Sequence, residues 1–273
     1  MYHVDIVNSG DSSFKVQSKD YEFFVDTKGK GVTPNKNHRK FSVIIPTLNE
    51  EDTIVERIDE VRTISPDAEM IVADGGSCDR TQEIARGKGV TVVVSSKGRG
   101  MQCNAGAKIA SGEILVFLHA DTKLPYEAFS VLEKAFQDEF TYIGTFRLKL
   151  DLGHHIVSFF SACNYFDCVF TRYGDQCITM RKSFFDKLGG FPELQYFEDV
   201  GLLQKARKFT GIRLFPATVV TSGRRFKEQG VMRQYFFDAW LMIQYSLGVS
   251  PKRLAEKYAN FNNSKGRLQK CRQ

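Results

Sequence analysis

The chain has 273 residues, 42% of them hydrophobic and 26% charged, with a formal net charge of +6. That is enough apolar material for a sizeable core and enough length for one large domain with an appendage. No uninterrupted apolar run exceeds five residues, far short of the ~20 a membrane-spanning helix needs, and the N-terminus lacks the basic-then-apolar layout of a secretory signal.

The chain accordingly reads as cytosolic, without a transmembrane segment. Six cysteines, Cys78, Cys103, Cys163, Cys168, Cys177 and Cys271, are scattered without a CxxC pair and read as reduced, mostly buried thiols. The charge is uneven: residues 251 to 273 hold seven Lys or Arg against Glu256 alone and carry the whole excess. Finger spacings and interleaved aromatic and basic residues are missing, which argues against nucleic acid as a partner.

Residues 1 to 40 alternate polar and apolar weakly through FKVQSKDYEFFVDTKGKG, suggest a hairpin, and run out in the linker-like GVTPNKNHRK. This segment is read as an extension of unknown role, followed by one domain over 41 to 260 and a basic tail over 261 to 273. From Phe41 the pattern becomes regular. FSVII is a strand, and Ile54, Val55, Ile58 and Val61 then mark a helix face with Glu50, Glu51 and Asp52 at its positive end. Strand EMIVA, a helix from about Arg80 to Gly87, strand VTVVV, a helix carrying Met101, Ala105 and Ile109, and strand EILVFL follow in order. Strands alternating with helices predict an α/β fold with a mostly parallel sheet and helices on both faces, because parallel neighbours need crossovers.

In such sheets ligands bind beyond the carboxyl ends of the strands. Those exits read PTLNE, DGGSCDRT, SSKGRG and HADT. Together they offer glycines, Asp74 and Asp121, and the cations Arg80, Lys97 and Arg99, a set suited to a nucleotide diphosphate and a divalent ion. No Walker string occurs, and a dinucleotide fingerprint fails because Cys103 stands at its third glycine.

Downstream, YGDQCITMRKSFFDKLGGFP (173 to 192) reads as a turn, a strand with Ile178 and Met180, and a helix ended by Gly189-Gly190. His154-His155 opens an aromatic-rich segment read as a packed helix. YFFDAWLMIQYSLG (235 to 248) reads as a core or interface helix; exposed beside the basic tail, it would instead suggest a membrane-surface anchor and a lipid-linked acceptor.

The strings SVIIPTLNEE, ADGGSCDRT, GRGMQCNAGA, FLHAD, GDQCITMRKSFFDKLGGFPE and FEDVGL, in this order, resemble the family 2 nucleotide-sugar glycosyltransferases of GT-A fold over about Phe41 to Tyr258. The resemblance implies an inverting transfer of single sugars from a nucleotide-diphosphate donor to a hydroxyl acceptor, assisted by Mg or Mn. It implies that Pro46, Thr47, Asn49 and Glu50 line the nucleotide pocket, that Asp74 faces the base beside a turn shaped by Gly75 and Ser77, and that Arg99 lies near the base or diphosphate. Asp121 matches the last residue of the metal-binding DxD element. His119 replaces the first Asp, which suits Mn better than Mg.

The same resemblance makes Asp199 the base that takes the acceptor's proton, with Glu198 beside it. Gly174, Asp175 and Gln176 would sit on the acceptor side, and Arg224 and Arg225 would close over the diphosphate. Chemically, inversion needs a carboxylate near the incoming hydroxyl and a cation at the departing phosphate. The alternative reading is a catalytically silent nucleotide-sugar sensor, and retention of both carboxylates speaks against it.

Overall fold

The structure, a computed structural model, describes residues 5–8, 13–18, 21–26, 39–151, 174–194, 196–224 and 230–263. The chain divides into two compact units, Met1–His38 and Arg39–Gln273. The first is an antiparallel meander of β1 (Asp5–Asn8), β2 (Ser13–Ser18) and β3 (Tyr21–Asp26). The expected hairpin is its second half, with Ser13 opposite Asp26 and Ser18 opposite Tyr21.

The second unit is built on an eight-stranded sheet. In chain order its strands are β4 (Phe41–Thr47), β5 (Glu69–Asp74), β6 (Thr91–Val94), β7 (Ile114–Phe117), β8 (Thr122–Lys123), β9 (Ile143–Leu150), β10 (Thr179–Arg181) and β11 (Arg213–Thr221). Across the sheet they lie in the order β6-β5-β4-β7-β10-β9-β11-β8. The four strands read from the sequence form the parallel half. β10 then runs antiparallel to both β7 and β9, and β8 antiparallel to β11, so the second half is mixed. The β9–β11 register shifts between Leu214 and Thr218, a span containing Pro216, which has no N–H to donate to a ladder.

All seven residues of β4 are buried, as a strand covered on both faces requires. Val43 and Ile45 face one core with Ile54, Ile58, Phe129, Leu132 and Phe215. Ile44 faces the other with Ala107, Phe117, Phe185 and Leu203. Helices α1 (Ile54–Ile64), α2 (Thr81–Gly87) and α4 (Ala128–Phe136) supply the first layer. The second comes from α3 (Arg99–Ile109), α5 (Lys182–Leu188) and α6 (Glu198–Arg207). Two further helices among the described residues are α7 (Val231–Ser246) and α8 (Pro251–Asn263).

The packing faces of α1 and α3 add to the sequence reading. In α1 the buried set is Ile54, Arg57, Ile58 and Val61, and Val55 is turned outward. In α3 the buried residues are Gly100, Gln102, Cys103, Gly106 and Ala107, while Ile109 is exposed. The reason is proximity: a Cβ on Gly106 would lie 2.5 Å from Ile44 Cγ2, so α3 packs on β4 through small residues. Cys103 and Cys177 are buried free thiols as expected, but Cys78 is exposed and disulfide-bonded, which corrects the reading of six reduced cysteines at that position. His154, His155, Arg225 and the tail beyond 263 lie outside the described residues.

Candidate active site

The first two strand exits are tied together. Gly75 N–H donates to Thr47 O (2.9 Å), Asn49 N–H to Ser77 Oγ (2.9 Å), Cys78 N–H to Asn49 Oδ1 (2.8 Å) and Glu50 N–H to Thr81 Oγ1 (2.8 Å). Asp74 is the organiser. Its fully buried carboxylate accepts from Gly76 N–H (3.0 Å), Ser77 N–H (2.8 Å), Ser77 Oγ (2.5 Å), Thr47 Oγ1 (3.0 Å) and Gln82 Nε2 (2.7 Å). Burial opposes the charge, yet these donors together hold the Asp74 carboxyl below the usual range. A carboxylate offers about four lone-pair sites, so its capacity is filled from within the protein. Gln102, on α3, donates to Thr47 O (2.6 Å) and Ala73 O (2.9 Å), bracing both strand ends from beneath.

The turn after β7 is fixed from both sides. Leu118 N–H donates to Ile44 O and Thr122 N–H to His119 O. On α1, buried Arg57 donates through Nε to Ala120 O (3.3 Å), the carbonyl between His119 and Asp121, and pairs with Glu60. Ser222 N–H donates to Asp121 O, which brings the end of β11 and Arg224 beside the turn. Glu50 lies within electrostatic reach of both Asp121 and Arg224; burial, with Asp121 adding to it, pushes its carboxyl up.

A narrow cleft opens on the other side of the same turn, lined by Arg99, Cys103, Phe117, His119, Gly174, Ile178, Phe191, Glu198 and Asp199. His119 Nδ1 stands 2.9 Å from Asp175 Oδ1. Arg99 Nε reaches Glu198 Oε1 at 2.8 Å, and its Nη1 lies 3.8 Å from Asp175. Glu198 is buried and Asp199 half-buried. Burial pushes the Glu198 carboxyl up, against the pull of Arg99.

Asp199 accepts through Oδ2 from Gly174 N–H (2.6 Å) and through Oδ1 from Val200 N–H (2.8 Å) in the first turn of α6. A Cβ at Gly174 would be a tight fit, 3.1 Å from Asp199 Oδ2 and 3.4 Å from His119 Cε1. Gln176 is fully buried in the same short 3₁₀ turn, Gly174–Gln176.

The expected residues thus fall into two groups joined by the His119–Asp121 turn: Pro46, Thr47, Asn49, Glu50, Asp74, Gly75, Ser77, Asp121 and Arg224 on one side, and Arg99, His119, Gly174, Asp175, Gln176, Glu198 and Asp199 on the other. Arg99 belongs to the acid-lined group, paired with Glu198. Three non-glycine residues with left-handed backbone border these groups: Asn49 (φ 56°), Cys177 (φ 54°) and Phe197 (φ 64°). Such strain persists where surrounding structure over-determines it, commonly at functional sites.

Three supporting residues were not read from the sequence. Arg57 left a trace there, a cation on the apolar stripe of α1. Gln102 and Gln82 left none.

Among the described residues no three His, Cys, Asp or Glu side chains converge as a metal cage. What the chain offers a divalent ion is the Asp121 carboxylate, with Glu50 within electrostatic reach, oxygen donors chemically suited to a hard cation. The imidazole of His119 is turned to Asp175.

Comparison with known proteins agrees with this architecture. Residues 42–182 match the family model described as "Glycosyl transferase family 2". Over 124 residues the chain is 32% identical to the 4,4'-diaponeurosporenoate glycosyltransferase of Staphylococcus haemolyticus, covering 42% of this chain and 32% of that protein. The matched stretch therefore spans about a third of that curated relative's length. Among solved structures, S. aureus TarS 1-349 in complex with UDP-GlcNAc superposes with a TM-score of 0.54 at 20% identity, covering 67% of this chain and 58% of that one. The mannosyltransferase PcManGT from Pyrobaculum calidifontis, in complex with GDP-Man and Mn2+, gives 0.52 at 18% identity, covering 85% and 73%. The fold is the expected GT-A arrangement. With more than half of its length inside the matched region, the chain belongs to glycosyl transferase family 2.

Proposed function

We propose that this protein transfers one sugar from a nucleotide-diphosphate donor to a hydroxyl acceptor, with inversion at the anomeric carbon. The observation that carries the reading is the division of labour between the two acids of α6. Glu198 is buried and committed to Arg99, whereas Asp199 lies half-open on the cleft wall, held in one orientation by two backbone N–H groups. A general base must be positioned and reachable, and Asp199 meets both conditions. It would take the acceptor's proton as the oxygen attacks the face opposite the diphosphate. Glu198 is then a positioning residue that holds Arg99.

On the donor side, the loops organised by Asp74 would present the nucleotide pocket through Thr47, Asn49, Gly75 and Ser77. Asp121 would hold a Mg or Mn ion there. When bound, such an ion neutralises charge developing on the departing phosphate. Arg224, and Arg225 beside it in sequence, would add positive charge there. No helix of the described residues is long and apolar enough to cross a membrane; the apolar side chains exposed along α7, Phe236 and Trp240 among them, favour a lipid-linked hydroxyl as the acceptor.

The test is a thermal-shift screen of UDP- and GDP-sugars with and without Mn. A donor at about 100 times its Kd stabilises the folded state by about 2.7 kcal/mol. The Mn-dependent part of that shift is expected to vanish in Asp121→Ala; an unchanged Mn-dependent shift in that variant contradicts the assignment.

A further inference from the structure

Helix α7 has two unlike faces. Inward, Leu241 and Met242 are buried, Tyr245 Oη donates to Gln204 Oε1 on α6 (3.2 Å), and the Tyr245 ring stacks on Phe197, the residue before Glu198. Outward, Met232, Phe236, Trp240, Ile243 and Leu247 all lie exposed, Phe236 at 70% and Leu247 at 78%. At 3.6 residues per turn these five fall within roughly a quarter of the helix circumference, and none of them is charged. Isolated exposed apolar residues are ordinary; a continuous stripe of this kind marks a surface with a partner.

Cations border the stripe along its whole length. Arg233 stands over Phe261 near one end, Lys257 over the Trp240 ring at the middle (4.7 Å in each case), and exposed Lys252 and Arg253 follow the turn at the other end. The described acids of α7 and α8 are Glu256, which is exposed, and Asp238, which lies off the stripe and accepts from Gln234. Apolar and aromatic side chains flanked by Lys and Arg are the composition of a helix that lies in a lipid interface, apolar side down, with anionic headgroups meeting the cations. A second copy of this chain would bring the same cations against themselves.

We infer that the outer face of α7, with the cations of α8, docks this protein on an anionic membrane surface. Because the inner face of α7 holds Phe197 and α6, docking sets the Asp199 cleft beside the bilayer, where a lipid-linked acceptor would present its hydroxyl. The inference rests on the lipid-linked reading above for its purpose, but it is tested without catalysis.

Trp240 is the only tryptophan in the chain, so its fluorescence reports this face directly. Full-length protein is mixed with vesicles of phosphatidylcholine alone and with vesicles containing phosphatidylglycerol. Anionic vesicles are expected to shift Trp240 emission to the blue, and brominated lipid to quench it. Raised salt weakens both effects. Replacing exposed groups leaves the fold standing; Phe236→Ser with Leu247→Ser, and separately Lys252→Glu with Arg253→Glu, are each expected to weaken partitioning roughly tenfold or more.

Emission unchanged by anionic vesicles, equal binding to neutral vesicles, or wild-type binding in both double variants overturns the proposal. So does self-association to a dimer that Phe236→Ser abolishes, which would make the face a contact between copies. If Trp240 inserts while transfer is absent, the catalytic reading fails and docking stands. If transfer proceeds without insertion, docking fails and the catalytic reading stands.

Discussion

Asp74 offers a quantitative test of how the donor loops are held. Asp74→Ala removes the acceptor for five donors. The hydroxyls of Thr47 and Ser77 and the amide of Gln82 can rotate toward other partners, but the N–H groups of Gly76 and Ser77 cannot without moving the loop. Hydrogen bonds to a charged group contribute about 1.5–3 kcal/mol each. Counting only the two fixed donors, at the low end because they are partly buried, gives about 3 kcal/mol.

Asp74→Asn is milder. Its oxygen can keep the three contacts of Oδ1, and its amide can donate to the two hydroxyls that Oδ2 served, so losing the charge costs about 1 kcal/mol. Urea denaturation of the three proteins at pH 7 measures this. The pH dependence has a definite sign. The folded-state carboxyl lies below its unfolded value of about 3.9, so its contribution is fully present above that value and is lost as pH falls through the folded one. The gap between wild type and Asp74→Asn should therefore close on acidification below about pH 4. An Asp74→Ala variant within about 1 kcal/mol of wild type, or a gap that widens in acid, refutes the reasoning.

Gly106→Ala should lower the melting temperature, because its Cβ would lie 2.5 Å from Cγ2 of fully buried Ile44; overpacking of about 1–3 kcal/mol outweighs the helix propensity gained. Glu198→Gln keeps an acceptor for Arg99 Nε while removing the charge, so transfer should fall by about tenfold or less if Glu198 only positions Arg99. A loss of about 10³-fold would make it the base instead.

The parallel half of the sheet was legible because its strands are β-branched runs between polar exits, with helices long enough to cross over. In the mixed half, β10 was read as the strand with Ile178 and Met180, whereas β8, at two residues, is too short for an alternation to register. The packing face of α3 was not legible, because its closeness to β4 is achieved by Gly106 and Ala107, residues that carry no apolar periodicity. The strings around Asp74, His119, Asp121 and Asp199 pointed to residues that the structure gathers on either side of the His119–Asp121 turn, but Arg57 and Gln102 work by donating to carbonyls far away in sequence, which no local pattern records. The pairing of Arg99 with Glu198 rather than open solvent is likewise a long-range contact.

Asp199→Asn bears most directly on the central claim. With a radiolabelled donor selected by thermal shift and lipid-linked acceptors in membranes, the variant should lose about 10²- to 10⁴-fold in sugar transfer and retain the wild-type donor-induced rise in melting temperature. Transfer at the wild-type rate would show that the carboxylate held by Gly174 is not the base.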